Sequence, residues 1–363
     1  MRRKQRWDDL LNILRKCPQI CYHIPAELLF TPDVISLASG VCSVDFINRR
    51  DTITFLSARW ANCQRLSDKV LSGEFEPRYS KEIIISERGK RRLIRPPSFE
   101  SKIVQKTLSE FILRPLLESN MIPTNYAAVR EKGTDVMYKD IVVSLNKALS
   151  EKYKYLVQAD FSNYFGSIPV AGLKRHVFDV FIRDKDILDL VLKFFPNEIG
   201  ISLGNELSQL PASYYPTPLD KVICRDHKYF DRYMDDTLCV LKNKKDVNQY
   251  IDTLNKGAAA LGLTIKPSKI HVYGMGADFS FCKERFLFDR NRGEYYQMIN
   301  PKRVSTELRK LGSMPEEQID AQYASVRGSI IRHPNCKGIV RTLDKAYKER
   351  TGKDWIKRGE QRT

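Results

Sequence analysis

The chain reads as an α+β protein, and three observations carry that assignment. Apolar residues recur at helical spacing towards both ends, β-branched and aromatic runs are interleaved with helical stretches in the middle, and no internal repeat or low-complexity tract suggests a solenoid. With 363 residues, 42% of them hydrophobic and 29% charged, the chain can form two or three compact units with sizeable cores. That composition excludes disorder, and no apolar run approaches the ~18 residues of a membrane span.

Taken in order, residues 1 to 75 are expected to be helical. Leu10, Leu11 and Leu14 share one face, and Ile53, Leu56, Trp60, Leu66 and Val70 form a second apolar set. Residues 82 to 95, EIIISERGKRRLIR, are two short β-branched runs around a polar turn containing glycine, the signature of a hairpin. Val104, Leu108, Phe111 and Ile112 predict a helix that stops near Pro115. Residues 153 to 160, YKYLVQAD, predict a strand that ends on a carboxylate. A helical stretch through Ile187, Leu190, Val191 and Phe194 leads into a glycine-bracketed loop, Gly200 to Gln209. Residues 228 to 241, KYFDRYMDDTLCVL, predict a tight hairpin with Asp235 and Asp236 at its turn. Val247, Tyr250, Ile251, Leu254, Ala258 and Leu261 mark an amphipathic helix ending at Gly262. Strands are expected around Thr264-Ile265 and from Phe279 to Phe288. Beyond Pro301 the pattern is helical again, with Ser313 as an N-cap and Ile319, Tyr323, Val326 and Ile330 facing inward.

The charge is distinctive. Sixty-one Lys and Arg oppose 44 Asp and Glu, a formal net charge of +17, which attracts polyanions. The excess is concentrated in two flanks. Residues 81 to 106 hold eight basic residues against three acids, and residues 300 to 363 hold fifteen against eight, so a cleft with cationic walls is expected. The eight cysteines never pair at C-x2-C spacing, which fits reduced thiols better than a zinc site. The first residues, MRRKQRWDDLLNILRK, lack the apolar core and cleavage site of a secretory signal, so a cytoplasmic protein is expected.

The chemistry lies in three acids. If the strand ending at Asp160 pairs with the hairpin bearing Asp235 and Asp236, three carboxylates crowd one sheet edge, and their repulsion calls for a cation between them. Oxygen-only ligands suit Mg²⁺, and two such ions can activate a hydroxyl and stabilise a leaving phosphate. A polyanion-binding surface together with carboxylate-held Mg²⁺ points to phosphoryl or nucleotidyl transfer.

Around these acids the chain resembles the reverse transcriptases. The motifs are Asp160-Phe-Ser-Asn-Tyr-Phe165-Gly-Ser-Ile168, Leu203-Gly204-x-x-x-Ser208-Gln209, Tyr233-Met-Asp-Asp236 and Lys266-Pro-Ser-Lys269, in the order of that family's palm. Upstream, Gly89-Lys-Arg-Arg-Leu-Ile-Arg-Pro-Pro97 and Lys102-Ile-Val-Gln-Lys-Thr-Leu108 look like its fingers. The resemblance spans roughly residues 80 to 330. It implies a right-hand polymerase with fingers, an antiparallel-sheet palm and a helical thumb. The implied division is a helical N-terminal extension over 1–78, fingers over 79–152, palm with interleaved fingers helices over 153–290 and thumb over 291–363.

Carried over by position, the resemblance gives Asp160 and Asp235 as metal-bridging ligands, Asp236 as the third catalytic acid and the Phe161 carbonyl as a further ligand of two Mg²⁺, with Mn²⁺ as a substitute. Phe165 matches the steric gate against a ribose 2′-hydroxyl. Arg91 and Arg92 match the clamp on the incoming triphosphate, where a bidentate guanidinium suits phosphate. Lys269 matches the lysine that protonates departing pyrophosphate. Leu203, Gly204 and Gln209 lie in the loop over the nascent pair, where group II intron enzymes commonly carry Gln-Gly-x-x-x-Ser-Pro. The Leu-Gly and Ser-Gln form is similar to the reverse transcriptases of diversity-generating retroelements, and an apolar Leu203 offers no amide hydrogen bond there, which implies error-prone copying.

The implied partners are template RNA, an RNA–DNA hybrid, dNTPs, and a dedicated noncoding RNA or small accessory protein, with no membrane. An antiphage or retron-like enzyme bound to its own noncoding RNA is the alternative. Three features depart from the pattern. Pro211, Pro216 and Pro218 fall where a helix is expected, Phe281-Cys282-Lys283 replaces the usual Phe-Leu-Gly turn, and the Val-Thr-Gly of retron thumbs is absent. No RNase H or endonuclease domain is recognised after residue 300.

Overall fold

The computed structural model describes residues 2–44, 48–87, 90–331 and 336–355. Five helices come first: α1 (Arg2–Lys16), α2 (Ala26–Leu29), α3 (Pro32–Ser43), α4 (Arg50–Ser57) and α5 (Arg59–Leu71). Thr31 starts α3 by accepting the Val34 N–H at 3.4 Å, with Pro32 at the first helical position, where its missing N–H costs nothing. Leu11 and Leu14 are buried, and Trp7 meets Phe111 edge-on at 4.7 Å, so these helices share a core with the segment that follows. The expected Ile53-to-Val70 stripe is corrected. Ile53 and Trp60 are 56% and 58% exposed, because Ala58 breaks the run and resets its phase; Leu66 and Val70 face inward as expected, joined by Phe55 and Cys63.

Strands β1 (Ile83–Glu87) and β2 (Lys90–Ile94) form the expected antiparallel hairpin, from Ile83 opposite Ile94 to Glu87 opposite Lys90. At its root the Ser80 N–H donates to the Pro96 carbonyl and the Ser98 N–H to that of Arg78, both at 2.8 Å. Helix α6 (Phe99–Leu108) starts on Ser98, whose hydroxyl accepts the Ser101 N–H. It does not stop near Pro115. A π turn over Ser109–Leu113 dislocates the hydrogen-bond ladder, so Pro115 falls in the first turn of a new segment, α7 (Arg114–Glu118), where its lack of an N–H is tolerated.

Helix α8 (Thr134–Ser150) leads to β3 (Tyr155–Asp160). Short helices α9 (Tyr164–Ser167), α10 (Val170–Leu173) and α11 (Asp179–Phe181) are followed by α12 (Lys185–Leu192), capped by Asp184. Residues 206 to 209 of the expected loop are helical, because Asn205 caps α13 (Glu206–Tyr214) by accepting the Leu207 N–H at 2.9 Å. The prolines break the helix there as expected: α13 carries Pro211 inside it, and α14 (Thr217–Asp226) starts after Pro216, with Pro218 in its first turn.

Strands β4 (Tyr229–Tyr233) and β5 (Asp236–Leu241), helix α15 (Lys244–Ala260) and strand β6 (Ile270–Gly274) complete an antiparallel sheet of order β4-β5-β3-β6. The strand expected at Thr264-Ile265 is absent. There the backbone makes a single link, from the Ser162 N–H to the Thr264 carbonyl, and the pairing strand forms after Pro267 instead. Alternate residues of the sheet enter two cores. Val157, Ala159, Phe230 and Cys239 pack with α14 and α15, whereas Leu156, Tyr229, Leu238 and Val240 pack with α8 and a second sheet. That second sheet consists of β7 (Phe279–Phe281), β8 (Glu284–Asp289) and β9 (Glu294–Met298) in sequence order.

The thumb boundary drawn at 291 therefore falls inside the β8–β9 hairpin, and the C-terminal helices begin at Pro301. They are α16 (Pro301–Ser313), α17 (Glu316–Ile330) and α18 (Lys337–Thr351), packed around Leu311, Ile319, Tyr323 and Leu343. Ser313 is not an N-cap. It ends α16, its hydroxyl donating back to the Arg309 carbonyl, and α17 starts from Pro315 without a side-chain cap. No helix among the described residues is long and apolar enough to cross a membrane.

Candidate active site

Pairing of β3 with β5 sets Asp160 directly opposite Asp236. Strands β4 and β5 join through Met234 and Asp235, with Tyr233 opposite Asp236, and Met234 adopts φ +57 to close this two-residue turn. The Phe161 N–H donates to the Asp235 carbonyl at 3.2 Å, tying the ends of both acid-bearing segments together. The three predicted acids thus meet at one end of the sheet.

Their electrostatics follow from crowding. Burial first, then Asp235 and Asp160, push the Asp236 carboxyl up to about 7, against the opposing pull of the Cys282 thiol and Lys269. Asp235 is raised as well, by burial above all and then by Asp160, although its own backbone N–H opposes the shift. The Lys269 ammonium donates to Asp160 Oδ2, and that bond holds the lysine above its ordinary range. Cys282 Sγ donates to Asp236 Oδ2 at 3.6 Å, while the Tyr138 hydroxyl holds the Cys282 carbonyl at 2.6 Å. Cys282 and Lys283 both lie at positive φ, +45 and +80, in the turn that stands where Phe-Leu-Gly was expected. Among the described residues no group of three His, Cys, Asp or Glu side chains stands ready to hold a metal ion. The donor set is nevertheless all-oxygen, and burial, with mutual repulsion added to it, raises two of its carboxyls, which is the chemistry a hard divalent cation relieves.

Below the turn lies a buried ion pair that sequence reasoning missed. Arg232 on β4 and Asp220 on α14 are both fully buried, and Arg232 Nε lies 2.7 and 2.8 Å from the two carboxylate oxygens. The guanidinium also donates to the Met234 carbonyl at 3.3 Å and sits 5.1 Å from the centre of the Phe161 ring. One side chain therefore braces both acid-bearing segments. The available signal was Arg232 beside Asp231 in a strand whose other residues are aromatic.

Phe165, on α9, is half-buried, and its carbonyl accepts the Ile201 N–H at 2.8 Å, fixing the segment that leads to Leu203. Gly200 (φ +86) lets that loop approach closely, since a Cβ there would lie 3.2 Å from the Gly166 carbonyl. Gly204 (φ +93) has a similar duty: a Cβ would meet the Ile94 side chain at 2.7 Å, so glycine lets the loop seat against the end of β2. Leu203 is half-buried. Gln209 is exposed and lines a cavity of about 330 Å³ with Lys102, Lys106, Arg114 and Gly204. Arg91 and Arg92 are placed by the β2 backbone, opposite Ser86 and Ile85, and their side chains lie outside the described residues.

A family model described as reverse transcriptase (RNA-dependent DNA polymerase) matches residues 80–312. No curated protein matches the sequence significantly. Among solved structures, apo telomerase from Candida tropicalis, truncated from its C-terminal domain, is similar at 12% identity and a TM-score of 0.47, over 66% of this chain and 60% of that one. The chain thus spans about 60% of the length of that telomerase structure.

Proposed function

The chain belongs to the reverse transcriptase family, and from that premise we propose that it copies an RNA template into cDNA by nucleotidyl transfer at Asp160, Asp235 and Asp236. The observation that carries this reading is the in-register opposition of Asp160 and Asp236 with Asp235 at the adjoining turn. In this reading Asp160, Asp235, Asp236 and the Phe161 carbonyl would hold Mg²⁺. When bound, the metal would supply charge neutralisation and an activated 3′-hydroxyl.

The remaining roles belong to the chain's own side chains. Lys269 arrives protonated because Asp160 stabilises its ammonium, and once released from Asp160 its Nζ becomes the stronger acid needed by a departing pyrophosphate. Phe165, five residues past Asp160 and backed by Tyr164 at 5.8 Å, excludes a 2′-hydroxyl. Arg91 and Arg92 bind triphosphate, and Leu203, Gly204 and Gln209 line the template side. Residues 79–152 serve as fingers, 153 to about 300 as palm and the C-terminal helices as thumb. The Leu203 form of the loop supports an error-prone, retroelement-type enzyme.

The test is primer extension on an RNA template with dNTPs. Asp235→Ala/Asp236→Ala should reduce incorporation below detection while RNA affinity stays within a few-fold, since affinity comes from basic residues on phosphates. Extension by the double variant would overturn the assignment.

A further inference from the structure

A cleft of about 800 Å³ opens at the root of the β1–β2 hairpin, between it and helices α4 and α5, away from the three acids. Four arginines and two acids line it, and the acids are already committed. Asp51 accepts Arg49 Nε at 3.1 Å and Nη2 at 2.9 Å, together with the N–H groups of Thr52 and Phe99 at 3.0 and 2.9 Å, which fills its acceptor sites. Glu100 accepts Arg65 at 3.0 Å. Arg50 and Arg78 are exposed, and neither has an acid partner among the described residues, so two positive charges face the cleft uncompensated.

The rest of the lining is selective in a different way. Phe55 and Phe99, 4% and 3% exposed, meet edge to face at 5.4 Å, and half-buried Tyr79 adds a third aromatic side chain. Asn62, 8% exposed, donates its amide to the carbonyls of Phe55 (2.9 Å) and Thr54 (3.4 Å), leaving Oδ1 without a partner among the described residues. Two unpaired guanidiniums suit a phosphate, the aromatic walls suit a base, and a lone acceptor suits a sugar hydroxyl or base amino group. The volume lies within the ~300–1,000 Å³ of ordinary ligand sites. Six residues, roughly 20 Å of extended chain, separate Ser80 at the root from Ser86, which stands opposite Arg91, so this cleft is distinct from the Arg91 end of the hairpin.

We propose that this cleft is a second, non-polymerising site that holds one nucleotide unit of single-stranded RNA, with its phosphate on Arg50 and Arg78. The choice of RNA rests on the proposed copying of an RNA template. The test measures binding without dNTPs, so loss of either claim is seen separately. The full chain and Arg50→Ala/Arg78→Ala are titrated onto a labelled single-stranded RNA by fluorescence anisotropy between 50 and 200 mM salt.

Losing the hold on one phosphate should make the log–log salt slope shallower by about 0.7, so that raising the salt fourfold weakens the wild type about 2.6-fold more than the variant. Arg50→Lys/Arg78→Lys should keep the wild-type slope, Asp235→Ala/Asp236→Ala should leave it unchanged, and kcat on a short primed hybrid should not move in the Arg50/Arg78 variants. An unchanged slope in the alanine variant overturns the site. If a nucleoside monophosphate binds the wild type and not the alanine variant while the RNA slope is unchanged, the RNA assignment is overturned in favour of a free nucleotide.

Discussion

Two hairpins of similar length carry opposite charge and are built in opposite ways. The β4–β5 hairpin, which bears Asp235 and Asp236, is covered on both faces, flanked by β3, and braced from below by the Arg232–Asp220 pair. The β1–β2 hairpin, which bears Arg91 and Arg92, is a free two-stranded ribbon whose Ile83 and Ile84 are 51% and 62% exposed. An isolated two-stranded ribbon has little stability of its own, so this one depends on its root and on the seat that Gly204 makes for Ile94. On the proposed function, the difference teaches that groups that would hold cations sit in a fixed frame, whereas groups that would meet an arriving triphosphate stand on an element that the frame holds only at one end.

The sharpest way to break the comparison is to remove the brace. Asp220→Ala leaves the Arg232 charge buried and unpaired, which should cost about 3–5 kcal/mol in denaturant unfolding of the sheet-bearing core. Asp220→Leu with Arg232→Met should recover most of that stability while extension stays impaired, because the Met234 carbonyl has lost its donor. If Asp220→Ala unfolds like the wild type, the two hairpins are equally unbraced.

Arg91→Ala should do the reverse, with no change in stability and a rise in KM for dNTP. One charged hydrogen bond is worth about 1.5–3 kcal/mol, or roughly tenfold and more in KM. Steady-state kinetics at saturating template measure this. A loss in kcat alone would place Arg91 outside the binding of substrate.

The pH dependence separates the hairpins further. Asp231, buried in β4, is pushed up to about 7 by burial, against the hydrogen bond from Tyr126 and with Asp140 adding to the rise. Its folded pKa exceeds the ordinary 3.8, so between about pH 4 and 7 the folded chain binds a proton that the unfolded chain does not. That stabilisation is complete below pH 4 and is lost as pH rises through 7. Asp231→Asn should flatten the fall in the melting temperature of the acid-bearing sheet between pH 5 and 8 and leave that unit of the variant more stable at pH 8. An equally steep fall in the variant would assign the pH dependence to other groups.

The smallest effect is expected at Leu203, beside the glycine that seats the free hairpin. Leu203→Gln should lower misincorporation several-fold, since one hydrogen bond changes discrimination by about 1 kcal/mol. Sequencing cDNA from both enzymes reads the change, and identical error spectra would make Leu203 a packing residue.

The acid-bearing hairpin was the more legible of the two in the sequence. A β-branched and aromatic run ending on Asp160 and another broken by Asp235-Asp236 state both the strands and what they present, and the register then follows from antiparallel pairing. The Arg232–Asp220 pair was not legible, because its members lie on different elements and only the tertiary fold shows that they meet. Helix α8 carries a readable signal, since Met137, Ile141, Leu145 and Ala148 recur at helical spacing and are buried. Strand β9 has the strand-like run EYYQM, but the turn before it at Gly293 is polar and falls just past the boundary expected at 291, beyond which helices were expected. Ser313 failed as a cap because Pro315 fixes where the next helix can start, and a local capping signal cannot outrank a fixed φ.

The C-terminal helices pack around a core of their own, reached through Ile299 and Asn300, and they contact chiefly one another. In thermodynamic terms a separate core predicts more than one cooperative unit. Heat or denaturant can release the C-terminal helices while the two cores that flank the acid-bearing sheet remain intact. A single melting temperature then describes no one event, and the stability of the catalytic frame has to be read from a probe placed inside it, such as the ring of Tyr250 packed against Phe230.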